Sequence, residues 1–266
     1  MGIHNMLSLS NNISASNSLI LSSEFSGVND GLIHYFATEN LPNTASGLTD
    51  EYSGTALTTY SKTKNFDLCK IPGAFAMDDT DACQSINLAS NSLFPVGDFT
   101  FQFWFYCDSS ASQIGYILRN YYGTNGNPPT AGTGGGIVLT NPSSTAIQCI
   151  AFSPGNTAPD AIFVSSGALA ADTWHYLALI NDTAASTLSL WTVNGSTLTQ
   201  IGIDAAPTYG NYNTPYDHLV EVGFATSMPK MAAGDYRIYN RVLSDSELTE
   251  NYNATAPRYV ASPFAR

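Results

Sequence analysis

The sequence predicts an all-β protein: a two-sheet antiparallel β-sandwich, or jelly roll, with an extended N-terminal arm. Short apolar or alternating segments recur about every 8–15 residues, with almost no helical period. Charged residues make up only 11% of the chain and aromatic residues 12%. The polar character comes instead from Ser, Thr and Asn, which favour strands and turns over helix. At 266 residues with no internal repeat, the chain fits one large β domain.

The segment "DFTFQFWFY" (98–106) gives the clearest strand prediction. Strict alternation is typical of a strand with one buried face. One side carries Phe99, Phe101, Phe103 and Phe105. The opposite side carries Thr100, Gln102, Trp104 and Tyr106, so it is polar at first and then aromatic.

The remaining strands are predicted in order along the chain. They are "GLIHYFA", "GAFAM", "QSINL", "YILRN", "GIVLT", "AIQCIAF", "AIFVS", "TWHYLALIND", "TLSLWTVN", "TLTQIGI" and "HLVEVGFA". Asn194-Gly195 predicts a hairpin with a type I′ turn. Residues 40–65 show no clear period and are predicted to be a long connection.

The last motif, "GDYRIYNRVLSDSEL" (234–248), begins as a strand and ends in a capped turn. Tyr236 and Ile238 are predicted on one face, with Asp235, Arg237 and Tyr239 on the other. Ser244 and Glu247 form a capping-box pattern, and Leu243 and Leu248 fit a hydrophobic staple, so a short helical turn is expected here.

These segments divide the chain into an N-terminal arm or docking segment (1–27), a sandwich domain (28–256) and a C-terminal tail (257–266). The arm is rich in Ser and Asn, and its Leu19, Ile20 and Leu21 favour docking over free movement.

The net charge of −12 argues against nucleic-acid binding and against anionic membranes. No apolar run reaches the roughly 18 residues of a membrane span, and no secretory signal pattern opens the sequence. We therefore expect no membrane insertion and synthesis without export. The four cysteines have no metal-site spacing, and buried free thiols are preferred over disulfides.

Four segments, "GDFTFQFWFY", "ADTWHYLALIND", "LSLWTVNG" and "GDYRIYNRVLSDSEL", occur in the order found in a known family. The chain resembles the laminin-G-like domain of the concanavalin A-like lectin/glucanase superfamily over residues 31–253. The resemblance implies two antiparallel sheets, one with a concave face. It also implies a packed core position for His175.

The resemblance further implies that Asp235 helps to hold a structural Ca²⁺ together with backbone carbonyls. Calcium prefers such oxygen ligands. Gly234 stands where the family often has a second acid, so one ligand is missing, and an ion pair of Asp235 with Arg237 or Arg241 is the alternative. Asp78, Asp79 and Asp81 could also hold calcium, beside a sugar site.

No catalytic residues are predicted. Retaining glycosidases need two carboxyl groups about 5–5.5 Å apart, and the enzymes of this superfamily carry them on alternate positions of one strand. Glu221 stands alone in its strand, and Asp245, Glu247 and Glu250 lie on the helical turn that begins at the capping box. A glycoside hydrolase is thus the least favoured alternative.

Two loops carry the aromatic and amide groups that suit sugar binding. The candidate residues are Tyr121, Tyr122, Asn125, Asn127, Tyr209, Tyr212, Asn213 and Tyr216. Packing of these side chains on the sandwich edge or on another subunit is the competing interpretation.

The sequence thus predicts a non-catalytic binding or structural module, and two settings are considered. In the first, the protein is a decoration, fibre or spike protein on a virus or phage particle. Its arm would bind the capsid or sister subunits in a homo-oligomer, and its domain could contact host glycans. In the second, it is a carbohydrate-binding adhesin of a bacterium, extracellular or on the cell surface.

Overall fold

The computed structural model shows mostly β-structure with one helix in the residues that it describes. Those residues are 26–36, 50–52, 58–61, 75–77, 84–88, 94–107, 109, 115–121, 136–152, 161–165, 168–204, 218–222 and 231–260. Within them, no helix is long and apolar enough to cross a membrane.

The larger sheet contains seven antiparallel strands. In chain order they are β1 (Leu32–Phe36), β3 (Phe75–Met77), β5 (Phe99–Cys107), β10 (Trp174–Asp182), β11 (Thr187–Asn194), β12 (Thr197–Asp204) and β14 (Met231–Tyr239). Their spatial order is β1-β14-β5-β10-β11-β12, with β3 also paired to β14. The sequence predicted all of these strands.

The other strands form two smaller antiparallel groups. One consists of β13 (His218–Val222), β4 (Gln84–Leu88) and β2 (Thr58–Ser61). The other consists of β6 (Gly115–Tyr121), β7 (Gly136–Ser143), β8 (Ala146–Phe152) and β9 (Ala161–Ser165). β13 lies beside β6, which brings the two groups together. Strand β2 lies inside the segment that was predicted to be a connection, so that prediction was wrong over these four residues.

The alternation in β5 separates two layers of packing. Phe99, Phe101, Phe103 and Phe105 are almost fully buried in the larger core cluster, which also holds residues of β7, β8, β10 and β11. Trp104 belongs to a second cluster on the opposite face of the sheet, together with Tyr176, Leu248 and Tyr259. This sheet is therefore buried on both faces at its centre.

Helix α1 (Asp245–Tyr259) covers the second face. Its capping box is confirmed: the Ser244 side chain accepts from the Glu247 backbone, and the Glu247 side chain accepts from Ser244 N. The prediction of a short turn was wrong, because the helix has 15 residues and runs past the predicted boundary at residue 256. Leu248, Asn251, Thr255 and Tyr259 are buried at helical spacing, so contacts with the sheet stabilise it.

The hairpin β11–β12 was predicted at the right place but with the wrong turn residues. Asn194 still pairs with Thr197 in the ladder, so the loop is Gly195-Ser196. Gly195 has a φ of 60° and no Cβ, as the first loop position of a type II′ turn requires.

Candidate functional site

The last strand carries charge because its outer face meets the helix in a buried polar cluster. The Arg237 guanidinium donates to Asn251 Oδ1 at 2.9 Å and to the Ser26 carbonyl at 2.8 Å. It also lies over the Tyr35 ring, 4.7 Å from the centroid. Charge-assisted bonds and ring contact compensate the burial of this arginine, which is 2% exposed.

Asn251 connects this cluster to three further parts of the chain. Its Oδ1 accepts from Val28 N at 2.8 Å. Its Nδ2 donates to Gln102 Oε1 at 2.7 Å and to the Tyr239 hydroxyl at 2.9 Å. The Tyr239 hydroxyl in turn donates to the Val28 carbonyl. One amide therefore joins the N-terminal segment, β5 and β14 to helix α1.

Asp235, the predicted calcium ligand, lies in a bulge of β14 with a φ of 50°. Its carboxylate is fully buried, and both oxygens lie 3.1 Å from Arg258 Nη1 on helix α1. The buried Asp235 thus forms its ion pair with the partly exposed Arg258, whereas the sequence suggested Arg237 or Arg241. In the described part of the chain, no group of three or more His, Cys, Asp or Glu side chains could hold a metal ion.

The acids of helix α1 have structural partners or face solvent. Glu247 binds Arg241 through both carboxylate oxygens at 2.6 and 3.0 Å. This arginine lowers the pKa of Glu247 to about 2, well below the value that a general acid needs near neutral pH. Asp245 and Glu250 are exposed. For Glu221 the structure describes only the backbone, in β13.

His175 is half-buried in β10, in keeping with the packed position that the sequence suggested. Its Nε2 lies 2.8 Å from the Ala170 carbonyl. Burial lowers the pKa of this histidine, so the imidazole is neutral at pH 7.

The predicted sugar residues border neighbouring strands. Tyr121 is the last residue of β6, and its backbone is described. The other seven, like Asp78, Asp79 and Asp81, lie outside the described residues. The second loop leads into β13, which lies beside β6. Strands β6 and β13, each of which adjoins one of the two loops, are therefore adjacent.

Sequence reasoning missed a partly exposed patch on β11 and β12, here called the tryptophan face. It consists of Trp191, which also packs against the second core cluster, the buried Ser189, and the exposed Gln200 and Ile203. Trp191 is half-buried, and its indole N–H donates to Ser189 Oγ at 2.9 Å. Gln200 is its cross-strand partner and is exposed. Ile203 is the partner of Ser189 and is 42% exposed. The alternation in "TLSLWTVN" already places Ser189 and Trp191 on one face, and this signal could have found the surface.

A model of a laminin-G family, described as the Concanavalin A-like lectin/glucanases superfamily, matches residues 80–249. The chain belongs to the concanavalin A-like lectin/glucanase superfamily. The superfamily assignment and the two-layer β-structure agree with the sequence resemblance. A search of curated proteins finds no match to the chain.

Solved structures of toxin binding domains have a similar fold. The ligand binding domain of botulinum neurotoxin serotype D, in complex with N-acetylneuraminic acid, aligns with a TM-score of 0.61 and 16% identity over 85% of this chain. The binding domain of botulinum neurotoxin DC, in complex with SialylT, aligns with a TM-score of 0.57 and 13% identity over 85% of this chain. The binding domain of Paraclostridial Mosquitocidal Protein 1 aligns with a TM-score of 0.57 and 13% identity over 84% of this chain.

The chain spans about half the length of these structures, at 51%, 51% and 52%. At such low identity the likeness concerns the fold alone. The neighbours are binding domains by description, and the lectin-like fold is the property that they share with this chain.

Proposed function

We propose that this protein is a non-catalytic carbohydrate-binding module. The proposal is supported by its membership of a lectin superfamily and by a structural neighbour in complex with N-acetylneuraminic acid. The observation that carries it is the tryptophan face, an uncharged aromatic surface on a rigid sheet.

The chemistry of the tryptophan face suits a sugar ring. The bond from the Trp191 indole N–H to Ser189 Oγ fixes the ring orientation, so the exposed part of the ring offers a preformed apolar surface. Gln200 places an amide beside it that can donate to and accept from hydroxyl groups. Rings with a few convergent polar groups are typical of small-molecule sites.

The two tyrosine- and asparagine-rich loops supply a second candidate surface. Every strand pair whose register is described is antiparallel. If β13 runs antiparallel to its neighbour β6, Tyr121 at the end of β6 and His218 at the start of β13 lie at the same edge. Both loops would then leave the sandwich together and could bind one ligand.

A neutral glycan fits the charge distribution better than a sialylated one. The chain carries a net charge of −12 and only nine basic residues. The arginine side chains that the structure describes are bound internally: Arg237 by Asn251, Arg241 by Glu247 and Arg258 by Asp235. A carboxylated sugar would gain little from these cations and would be repelled by the acidic surface.

The test is sugar binding by the intact chain and by matched variants. Trp191→Ala should weaken binding of an array-selected oligosaccharide at least about tenfold, since buried tryptophans dominate such contacts. Tyr52→Ala is the control, because this aromatic residue is 44% exposed and lies outside the tryptophan face.

Equal affinities for the wild type and both variants would move the site to the loops. Loss of binding in Tyr121→Ala with Tyr212→Ala would then identify them. Absence of any glycan binding by the wild type would refute the function.

A second candidate places this module on a virus or phage particle, with the arm bound to the capsid or to sister subunits in a homo-oligomer. What favours it is sequence: "SLSNNISASNSLILSS" (8–23) carries no charge, and no Lys or Arg precedes Lys62. A bacterial adhesin on the cell surface is the alternative. Portal and capsid genes beside this one would support the particle. Unchanged assembly after deletion of residues 1–27 would remove the argument from the arm.

Structural calcium stays a prediction. At Asp235 a cation would have to displace Arg258 from both carboxylate oxygens, so the described residues do not fit calcium there. Binding through Asp78, Asp79 and Asp81 predicts that millimolar Ca²⁺ raises the melting temperature and that a chelator reverses the change. An unchanged melting temperature would exclude a structural calcium.

A further inference from the structure

Three buried side chains beneath helix α1 each keep a polar atom without a hydrogen-bond partner in the described part of the chain. The atoms are Gln102 Nε2, the Tyr176 hydroxyl and Arg237 Nε. Gln102 is fully buried, and the other two residues are 1% and 2% exposed. Native proteins rarely leave such groups unpaired, because a buried donor without a partner has lost its hydrogen bonds to water without replacement.

The three residues are neighbours on the outer face of the larger sheet. Gln102 in β5 is the direct partner of Arg237 in β14. On its other side, Gln102 pairs with Ala178, and Tyr176 lies two residues before Ala178 in β10. Tyr176 is thus the diagonal neighbour of Gln102, a position that an aromatic side chain can span. The charge of Arg237 also acts on the Tyr176 hydroxyl, which agrees with their proximity.

The hydrogen bonds of Gln102 and Arg237 leave one donor of each residue without a partner among the described residues. Gln102 uses Oε1 to accept from Asn251, which leaves its amide nitrogen directed elsewhere. Arg237 uses Nη1 and Nη2 for Asn251 and Ser26, which leaves Nε on the strand side of the guanidinium. Burial raises the pKa of Tyr176 well above its ordinary value, so its hydroxyl keeps its proton.

A single water molecule can make one hydrogen bond to each of these three atoms. A water oxygen accepts two hydrogen bonds, here from Gln102 Nε2 and Arg237 Nε, and one water hydrogen can be donated to the Tyr176 oxygen. A buried water typically makes about three hydrogen bonds to polar groups that would otherwise be unsatisfied. The direction of each of these hydrogen bonds agrees with the chemistry of its group, since the amide and guanidinium nitrogens only donate and the phenol oxygen can accept.

We propose that Gln102, Tyr176 and Arg237 form a binding site for one structural water molecule between the sheet and helix α1. The water links β5, β10 and β14, the three central strands beneath the helix. The water thereby adds Tyr176 to the polar cluster around Asn251.

A crystal structure of the full chain at about 1.8 Å or better tests the site. We expect a water peak within hydrogen-bond distance of at least two of the three atoms. A map with no peak among them, or direct bonds between the side chains, would overturn the proposal.

Two variants give an independent readout in solution. Tyr176→Phe removes one partner of the water, and the ratio of folded to unfolded protein should fall about fivefold. Tyr252→Phe is the control, because the substitution removes a hydroxyl whose bond to Asn194 is exposed and 3.3 Å long. If the hydroxyl of Tyr176 binds nothing, its removal would leave stability unchanged or raise it, and that result would also overturn the proposal.

Discussion

Asn251 is the residue on which the docking of helix α1 depends most. Its side-chain amide makes four hydrogen bonds at 2.7–2.9 Å, with Val28, Gln102, Arg237 and Tyr239. All four partners are buried, and Arg237 carries a charge. Removing the amide would leave several of these groups unpaired at once, which costs more than the net value of the bonds themselves.

We expect Asn251→Ala to lower the free energy of unfolding by about 3 kcal/mol or more. Asn253→Ala is the matched control, since Asn253 is exposed on the same helix. Chemical denaturation of both variants measures the difference. Similar stability of the two variants would contradict the role given to Asn251.

Gly27 is constrained by the same cluster. It has a φ of 114°, and a Cβ there would lie 2.4 Å from Arg237 Nη1 and 2.5 Å from Asn251 Oδ1. Gly97 also has a positive φ, 89°, but a Cβ there would meet nothing within 4 Å. A comparison of alanine substitutions at the two glycines therefore separates the cost of backbone strain from the cost of a steric clash.

Gly97→Ala should cost about 1 kcal/mol, which is the strain alone. Gly27→Ala should cost clearly more, because the Cβ also displaces Arg237 or Asn251. Thermal unfolding of both variants provides the comparison. Equal losses would mean that the packing around Gly27 is looser than described.

Helix α1 shows, at the scale of elements, what the sequence could predict and what it could not. Its start was predictable, because Ser244 and Glu247 form a local pattern. Its length was not, because two of its buried anchors, Asn251 and Thr255, are polar and show no apolar period. The helix also contains Pro257, a residue type that usually ends or kinks a helix. Tertiary hydrogen bonds, which no local pattern records, decide this element.

The ion pair of Glu247 with Arg241 gives helix α1 a pH-dependent contribution. The pKa of Glu247 falls from its ordinary value near 4.5 to about 2, chiefly through the hydrogen bonds from Arg241. A lowered carboxylate pKa stabilises the folded state above the unfolded pKa, and the contribution is lost as the pH falls toward the folded pKa.

Glu247→Gln should therefore be less stable than the wild type at pH 7, by about 1 kcal/mol for a partly exposed pair. The difference should shrink as the pH falls from 4.5 toward 2. Urea unfolding at several pH values measures it, with the exposed Glu250→Gln as control. A difference that is independent of pH would show that the charge of Glu247 contributes nothing.

At the scale of the whole molecule, the sandwich was predictable because short strand-like segments recur along the chain and β5 alternates strictly. The phenylalanine row of β5 marks the inner core, and the opposite side of the strand carries the residues that the helix covers. The candidate binding surface was harder to predict from the sequence. Loop residues such as Tyr212 could be selected by composition alone, whereas the tryptophan face depends on the cross-strand register of Trp191 and Gln200.

We propose that this acidic lectin-like module binds neutral sugars through the tryptophan face. Binding of the full chain to a glycan array that contains neutral oligosaccharides and their sialylated counterparts tests this most directly. We expect binding to neutral glycans that is lost on sialylation and weakened in Trp191→Ala. A preference for the sialylated members, or no binding to any glycan, would contradict it.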